Sequence, residues 1–199
     1  MSEKATYVYS EKYFGVSIEN GSRQGFKYID SLGKEYFYLC KTTSITNDTI
    51  VPINLKIYFS KEYNHIRSNE GLKSKVFLLP KELTLDEQQF NVTVTKELKF
   101  DLGMTKELKR FLNTSIETVT LNKTLNPKEK CVVVFGILTD IKYKVPMYFG
   151  LKLKVNDFQY NKQDSIIKTI TRKPSILPLV LYLDNPFAIP CGQISFPDN

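Results

Sequence analysis

The sequence predicts an all-β protein, an antiparallel β-sandwich of the immunoglobulin-like or jelly-roll-like kind with one or two short connecting helices and an extended C-terminal arm. Apolar and polar residues alternate in many short segments, which is typical of half-buried strands. Helical periodicity is confined to two brief segments, whereas a parallel α/β fold needs a helix between most strands. About nine or ten candidate strands favour a sandwich or barrel.

The candidate strands differ in how they alternate. The clearest half-buried ones are residues 53–59, 90–94 and 147–155. Residues 131–138 are continuously apolar and β-branched at their start, which indicates a central strand covered on both faces, and residues 126–130 supply the turn before it. Further candidate strands are residues 14–19, 26–30, 35–42, 73–79, 116–121 and 177–183.

Two short helices are predicted as connectors between the sheets. Thr105 can cap a helix over residues 106–113, in which three apolar side chains fall on one face and four charged ones point outward. Residues 84–87 have the spacing of a capping box and indicate one or two helical turns that end near Gln89.

Length and composition favour one globular domain. The chain has 199 residues, 42% of them hydrophobic, and its 28 Lys and Arg residues outnumber 21 Asp and Glu residues. No apolar segment approaches the ~20 residues that cross a bilayer, and the N-terminal residues lack the apolar stretch of a signal peptide. The expected location is therefore intracellular, either cytoplasmic or in a particle assembled after cytoplasmic synthesis.

Few residues suit metal binding or nucleophilic catalysis. The sequence has three cysteines, Cys40, Cys131 and Cys191. Because their number is odd and no two of them are spaced as Cys-X-X-Cys, neither a disulfide framework nor a zinc site is expected. Burial in strands explains Cys40 and Cys131. His65, the single histidine, lies in a polar stretch that we interpret as a solvated loop rather than as the place of a general base.

The sequence contains no common catalytic motif. It has no glycine-rich phosphate loop, zinc-protease helix, EF-hand loop or nucleophile elbow, so no cofactor is expected and a non-enzymatic protein is favoured. The enzymatic alternative is a carboxylate-dependent hydrolase, which needs two carboxyl groups at a suitable distance. Its candidate acids, which the sequence cannot pair, are Asp86, Glu87, Asp101, Glu117 and Asp140.

Residues 174–199 differ in composition from residues 1–173. They carry five of the nine prolines and no Lys or Arg, so the whole basic surplus lies upstream, and they are too apolar for a solvated linker. We therefore divide the chain into a sandwich body, residues 1–173, and a Pro-rich apolar arm, residues 174–199. Residues 1–6 of the body are expected to form a loose N-terminus.

Two interpretations of the arm remain open. In the first, it packs on its own body as an edge strand with an extended tail, because proline is tolerated mainly at sheet edges. In the second, it docks into a neighbouring subunit, and a chain ending near Lys173 would keep its fold but lose assembly. The candidate interface residues are Leu177, Leu179, Leu181, Leu183, Phe187, Ile189 and Phe196.

A second candidate surface is basic and aromatic. Lys152 and Lys154 are predicted to share a strand face with Tyr148, and Lys142 and Lys144 precede them. A basic face with an aromatic platform suits single-stranded nucleic acid or another polyanion. A lysine-lined face that keeps a sandwich soluble and discourages edge pairing is the alternative.

The favoured function is a non-catalytic module that binds other protein chains, including copies of itself, as a structural subunit of a virion, tail, pilus-like or secretion assembly. This hypothesis depends on the arm, on the Tyr- and Phe-rich residues 7–38 and on the missing catalytic motifs. Binding of nucleic acid or another polyanion is the first alternative, and carboxylate-dependent hydrolysis is the second.

Overall fold

The computed structural model describes residues 9–59, 63–67, 70–80, 106–113, 120–142, 148–154, 175–183 and 187–197. These residues form eleven strands and one helix. Their bounds are β1 (Tyr9–Tyr13), β2 (Val16–Ile29), β3 (Glu35–Asn47), β4 (Ile53–Ile57), β5 (Tyr63–Arg67), β6 (Glu70–Leu78), α1 (Lys106–Asn113), β7 (Leu121–Leu125), β8 (Lys130–Asp140), β9 (Phe149–Leu153), β10 (Ile176–Leu183) and β11 (Phe187–Ser195).

The strands form two antiparallel sheets that pack together. Sheet A has six strands in the order β1-β2-β3-β8-β6-β5, and sheet B has five in the order β7-β4-β11-β10-β9. One apolar core joins their inner faces. The prediction of an all-β sandwich is therefore confirmed, while the immunoglobulin-like or jelly-roll-like type stays a prediction.

The core lies between the sheets because alternate side chains of each strand point inward. In β4, Ile53, Leu55 and Ile57 are buried and the two residues between them are exposed. β8 lies between β3 and β6, and its Phe135 meets the Phe59 ring edge-on with 5.7 Å between ring centroids. The predicted alternation at residues 53–59 and the predicted central strand at residues 131–138 are confirmed.

Helix α1 packs on the outer face of sheet A, which is turned away from sheet B. Its Leu108 and Leu112 are buried in a second apolar cluster with Tyr28, Tyr38 and Phe77. The helix predicted over residues 106–113 is confirmed with the same bounds. Within the described ranges, no helix has the length and apolar character needed to span a membrane. The helical turns predicted at 84–89 and the strand predicted at 90–94 lie outside the described residues.

The beginning of sheet A differs from the prediction. Phe14 and Gly15 both have positive φ, 50° and 78°, and form the two-residue turn of the β1–β2 hairpin. The strands predicted at residues 14–19 and 26–30 are parts of one strand, β2, whose pairing with β3 shifts register between Asn20 and Arg23.

Three other strands are not evident in the alternation pattern. β5 contains His65, whose backbone pairs with Leu72 of β6, so the interpretation of this polar stretch as a loop is wrong. β7 begins at Leu121, the residue where the predicted strand 116–121 ends. Its sequence is polar, so it shows little alternation of apolar and polar residues. β11 contains Pro190, a residue that argues against a strand interior.

The C-terminal arm forms the interior of sheet B. β10 pairs with β9 and β11, and β11 pairs with β10 and β4. The prediction of an edge strand with an extended tail is therefore wrong. A chain ending near Lys173 would lack two adjacent interior strands, so it is not expected to keep this fold.

The apolar side chains of the arm face the core rather than another chain. While the chain is folded, they are covered by its own two sheets, so the prediction that they form a docking surface is corrected for six of the seven candidates. These six are Leu177, Leu179, Leu181, Leu183, Ile189 and Phe196. The side chain of the seventh, Phe187, lies outside the described part of the chain.

Both prolines of the arm strands occur where a neighbouring strand ends. The N–H of Lys154, just after β9, donates to the Pro178 carbonyl oxygen at 2.8 Å, so the N–H that Pro178 lacks would face the Lys154 carbonyl, where the pairing with β9 ends. Pro190 precedes a bulge at Cys191, whose carbonyl accepts the N–H of Tyr58 just after β4. The missing N–H groups thus lie where the pairing with a neighbouring strand ends, which explains proline in interior strands.

Candidate functional site

The outer face of sheet B brings lysine and tyrosine side chains together. In β4, β9 and β10 the inward residues are buried leucine, isoleucine and phenylalanine, so the residues between them point outward. We call the outward group the lysine–tyrosine face. It consists of Lys56, Tyr58, Tyr148, Lys152, Lys154 and Tyr182.

Strand register aligns two of these lysines in one row across the sheet. Lys56 of β4 pairs with Gln193 of β11, and Gln193 pairs with Pro178 of β10. Lys154 continues the row, because its N–H bonds to the Pro178 carbonyl. Three strand spacings of ~4.8 Å place the two lysines ~14 Å apart. We call these four residues the lysine row.

Two lysines of the face lie close to tyrosine rings. The Lys152 Nζ is 4.4 Å from the centroid of the Tyr182 ring, and the Lys56 Nζ is 5.7 Å from that of Tyr58. Both distances are within cation–π range. Tyr58 and Tyr148 expose 47% and 69% of their surface, so their rings are accessible from solvent.

The described strands of sheet B contain lysines, one of which, Lys123 of β7, pairs with Glu129 just before β8 at 3.0 Å. None of the five strands of sheet B contains Asp or Glu. The other outward side chains are polar or apolar, among them Asn54, Thr124 and Ser195 along one row and Ile176, which is 47% exposed. This face therefore offers cations, hydrogen-bonding groups and apolar surface.

A buried asparagine of sheet A holds β9 at the edge of sheet B. The Asn20 carboxamide, 2% exposed, donates through Nδ2 to the Leu151 carbonyl and accepts the Leu151 N–H at Oδ1, both at 2.9 Å. Oδ1 also accepts the Thr43 hydroxyl at 2.8 Å. A Cβ at Gly150 would lie 2.9 Å from Oδ1, so glycine makes room for this contact. The carboxamide thus replaces a neighbouring strand on the open edge of β9.

Lys41 adds a second contact from sheet A to β9. Its Nζ donates to the Phe149 carbonyl oxygen at 2.5 Å and lies 5.3 Å from the Phe149 ring centroid. Burial, and secondarily the charge of Arg23, lowers the pKa of Lys41 from its ordinary value. The strand flanked by Tyr148 and Lys154 is therefore fixed by two side chains of the other sheet, the buried Asn20 and the half-buried Lys41.

A second buried asparagine fixes the start of β4. Asn47 Nδ2 donates to the carbonyl oxygens of Val51 and Leu125, both at 2.9 Å, and Oδ1 accepts the Thr49 N–H at 2.9 Å and its hydroxyl at 2.7 Å. These bonds join the end of β3 to the end of β7 and to the connection that leads into β4. The strand carrying Lys56 is thus also held by sheet A.

The structure brings together some of the residues predicted for polyanion binding. Tyr148, Lys152 and Lys154 lie outward on or beside β9, as predicted. Lys142 instead follows β8 of sheet A, where its N–H donates to the Asp140 carboxylate at 3.0 Å. Lys144 lies outside the described residues.

Sequence reasoning missed the contribution of two strands to this surface. Alternation at residues 53–59 already places Lys56 and Tyr58 outward, and Tyr182 lies between two buried leucines. The missing information is which strands are neighbours. The alignment of Lys56 with Lys154 becomes visible only in the structure, where β11 and β10 lie between β4 and β9.

The one described candidate acid for hydrolysis is already engaged. Asp140 Oδ1 accepts the Lys142 N–H, and Oδ2 lies 3.0 Å from the Lys34 Nζ. The Lys142 hydrogen bond and then the Lys34 ammonium lower the pKa of Asp140, opposite to what a general acid requires. The acids at positions 86, 87, 101 and 117 lie outside the described residues.

The described thiols are poorly suited to nucleophilic chemistry. Cys131 and Cys191 are buried, as expected for Cys131, and Cys40 is half-buried. Burial raises the pKa of Cys40 to about 11 and that of Cys191 to about 12, so both stay protonated at neutral pH. In the described part of the chain, no three His, Cys, Asp or Glu side chains are grouped as metal ligands.

No protein-family model matches the chain, and neither a curated protein nor a solved structure is similar to it.

Proposed function

We propose that the protein is a non-catalytic binding module that holds a polyanion on the lysine–tyrosine face. The observation that carries the proposal is the lysine row in a sheet whose described strands contain no carboxylate. A cationic surface attracts phosphate and sulfate groups. Lysine is depleted in the cores of protein–protein interfaces, which favours a polyanion over a protein on this face.

The test is direct binding. Fluorescence anisotropy with labelled single-stranded DNA, and competition by heparin, are measured at about 50 mM salt and then at increasing salt. We expect binding whose affinity falls steeply as salt rises, because neutralised phosphates release counterions. Absence of binding to both ligands at low salt would overturn the proposal.

A double variant assigns the binding to the face. Lys56→Ala with Lys154→Ala should weaken binding about tenfold and reduce the salt slope by about two. Lys109→Ala with Lys106→Ala, two exposed positions of α1 on the other sheet, is the matched control because it removes the same net charge. Equal losses in the two double variants would assign the binding to net charge and contradict a defined face.

A separate observation favours the assembly hypothesis as a second candidate. Leu32 before β3 and Ile50 after it are 91% and 93% exposed. The 13 residues of β3 separate them by about 40 Å. Apolar residues at opposite ends of a subunit suit head-to-tail contacts with two neighbouring copies, and such contacts build rings or filaments.

Light scattering over a range of protein concentrations tests this candidate. We expect a mass above that of the monomer, which Leu32→Lys and Ile50→Lys each reduce. Ser31→Lys is the control, since it adds the same charge at an exposed position of the same turn. A monomer at the highest concentration would exclude self-assembly.

A further inference from the structure

We infer that the polyanion is a single-stranded nucleic acid whose backbone follows the lysine row and whose bases stack on the tyrosine side of that row; this inference rests on the proposed function. Tyr58 and Tyr148 are the two most exposed rings of the face. Base stacking on a protein needs an accessible aromatic ring and an unpaired base. In a duplex the bases stack on one another, so the rings would contribute little.

Strand direction places the aromatic residues on one side of the lysine row. Neighbouring strands are antiparallel, so β4 and β9, three steps apart, run in opposite directions. Tyr58 follows Lys56 by two positions along β4, and Tyr148 precedes Lys154 by six along β9, so both tyrosines lie on the same side of the row. At ~3.3 Å per residue, Tyr58 is ~7 Å from the row and Tyr148 is ~20 Å from it, so a base beside the row reaches Tyr58 and does not reach Tyr148. Tyr182, four residues after Pro178 on β10, lies on that side as well.

The opposite side of the lysine row has no aromatic residue among the described strands. It presents the row of Thr124, Asn54, Ser195 and Ile176. A chain with a charged backbone and flat apolar bases therefore meets cations along the row and rings on one side only. Polyphosphate and sulfated polysaccharides have the charges but lack bases for the rings to stack on.

The length of the row sets the size of the site. Lys56 and Lys154 are ~14 Å apart, and nucleotides stacked at ~3.4 Å cover this distance with about four residues of the strand. Gln193 and Pro178 between them carry no charge, so the backbone meets cations at both ends of the track. Affinity should therefore rise steeply up to about four nucleotides and slowly beyond that length.

The experiment compares ligands that differ only in their bases. Anisotropy is measured for oligothymidylates of about 2 to 12 nucleotides, for abasic oligomers of equal length and for the matching duplex. We expect the oligothymidylate to bind about tenfold more tightly than the abasic oligomer and than the duplex. Tyr58→Leu should remove most of this advantage and leave binding of the abasic oligomer unchanged, whereas Tyr148→Leu, ~20 Å from the row, should have little effect.

Two variants separate stacking from a general structural effect. Tyr58→Phe should bind as tightly as the original protein, because the ring is retained. Ile176→Ala removes an exposed apolar side chain on the other side of the row and should change nothing. Thermal unfolding of each variant verifies that it is folded, and if Tyr58→Leu unfolds it is replaced by Tyr58→Gln, which also removes the ring.

The outcomes separate this inference from the proposed function. Equal, salt-dependent affinity for abasic and base-bearing oligomers would overturn the stacking inference and leave polyanion binding in place. Equal affinity for duplex and single strand would overturn it in the same way. No binding of any of these ligands at about 50 mM salt would overturn the proposed function itself.

Discussion

Sheets A and B both carry aromatic side chains on their outer faces, but only those of sheet A are covered. Tyr28, Tyr38 and Phe77 of sheet A are at most 2% exposed beneath α1. The Phe77 ring stacks on Tyr38 at 6.3 Å and meets Phe111 of the helix edge-on at 5.7 Å. On sheet B, by contrast, Tyr58 and its neighbours lie beside lysines and reach solvent.

Glycine contributes differently to the two sheets. In sheet A, a Cβ at Gly136 would lie 2.3 Å from the Phe77 ring, so the glycine lets this ring cross β8. In sheet B, Gly150 makes room for Asn20, which fixes the β9 edge.

Aromatic content alone does not separate a packing face from a binding face. The cover over the rings does: the apolar side chains of α1 pack on the rings of sheet A, although Lys34 also lies 5.0 Å from the Tyr36 ring there, whereas Tyr58 and Tyr148 on sheet B stay 47% and 69% exposed.

The largest expected difference between the faces is in stability. Phe77→Ala should destabilise the fold by about 3–5 kcal/mol, because it removes a ring in contact with β3, β8 and α1. Tyr58→Ala, its counterpart on sheet B, should cost less than ~1 kcal/mol. Urea unfolding followed by circular dichroism measures both. Similar losses in the two variants would show that the lysine–tyrosine face is also a packing surface.

Asn20→Ala examines whether sheet B depends on sheet A for its shape. The change leaves the Leu151 N–H and carbonyl without their partner, and we expect a loss of about 2–4 kcal/mol. Amide hydrogen exchange at Leu151 should accelerate more than exchange elsewhere in the core. The control is Asn54→Ala, an exposed asparagine that accepts only the Thr124 hydroxyl among its described bonds, with an expected loss within ~0.5 kcal/mol. An equal effect of both changes would contradict the structural role of Asn20.

The parts of the fold that the sequence predicts are those with a strong local pattern. Strict alternation identifies β4, a continuous apolar run identifies β8, and one apolar stripe after Thr105 identifies α1 with its observed bounds. β5 and β7 are polar strands with little pattern, and β11 contains Pro190. These strands form because neighbouring strands supply hydrogen bonds and cover their apolar side chains, which a local pattern cannot report.

The candidate site shows the same division. Local alternation places Tyr148, Lys152 and Lys154 on one face, but the lysine row also needs Lys56, which is far away in sequence. Proline content suggests that the arm is an edge strand, whereas Pro178 lies in an interior strand beside the end of β9. The pairing between strands that are distant in sequence thus determines which residues share a surface. No single segment of the sequence contains that information.

Acid pH should remove a stabilising contact at the end of β8 in sheet A. The Lys142 N–H and the Lys34 ammonium lower the pKa of Asp140 below its ordinary 3.8, so this carboxylate stabilises the fold above about pH 4. The contribution is lost as the pH falls through the lower pKa of the folded state. Asp140→Asn should therefore be less stable than the original protein at pH 7, and the difference should shrink toward zero in strong acid. Urea unfolding at a series of pH values measures this, and a difference that stays constant with pH would contradict it.

The smallest expected effect concerns the stability of the lysine–tyrosine face. Lys154→Ala should change the free energy of unfolding by no more than ~0.5 kcal/mol, because its side chain is exposed and its N–H bond to Pro178 survives the change. Lys109→Ala on α1 should do the same, yet only Lys154→Ala should weaken polyanion binding. A residue that matters for binding but not for folding distinguishes sheet B from the covered face of sheet A, where removing a ring costs stability. If Lys154→Ala instead destabilised the chain by more than ~1 kcal/mol, the lysine would belong to the packing of sheet B and the contrast between the faces would fail.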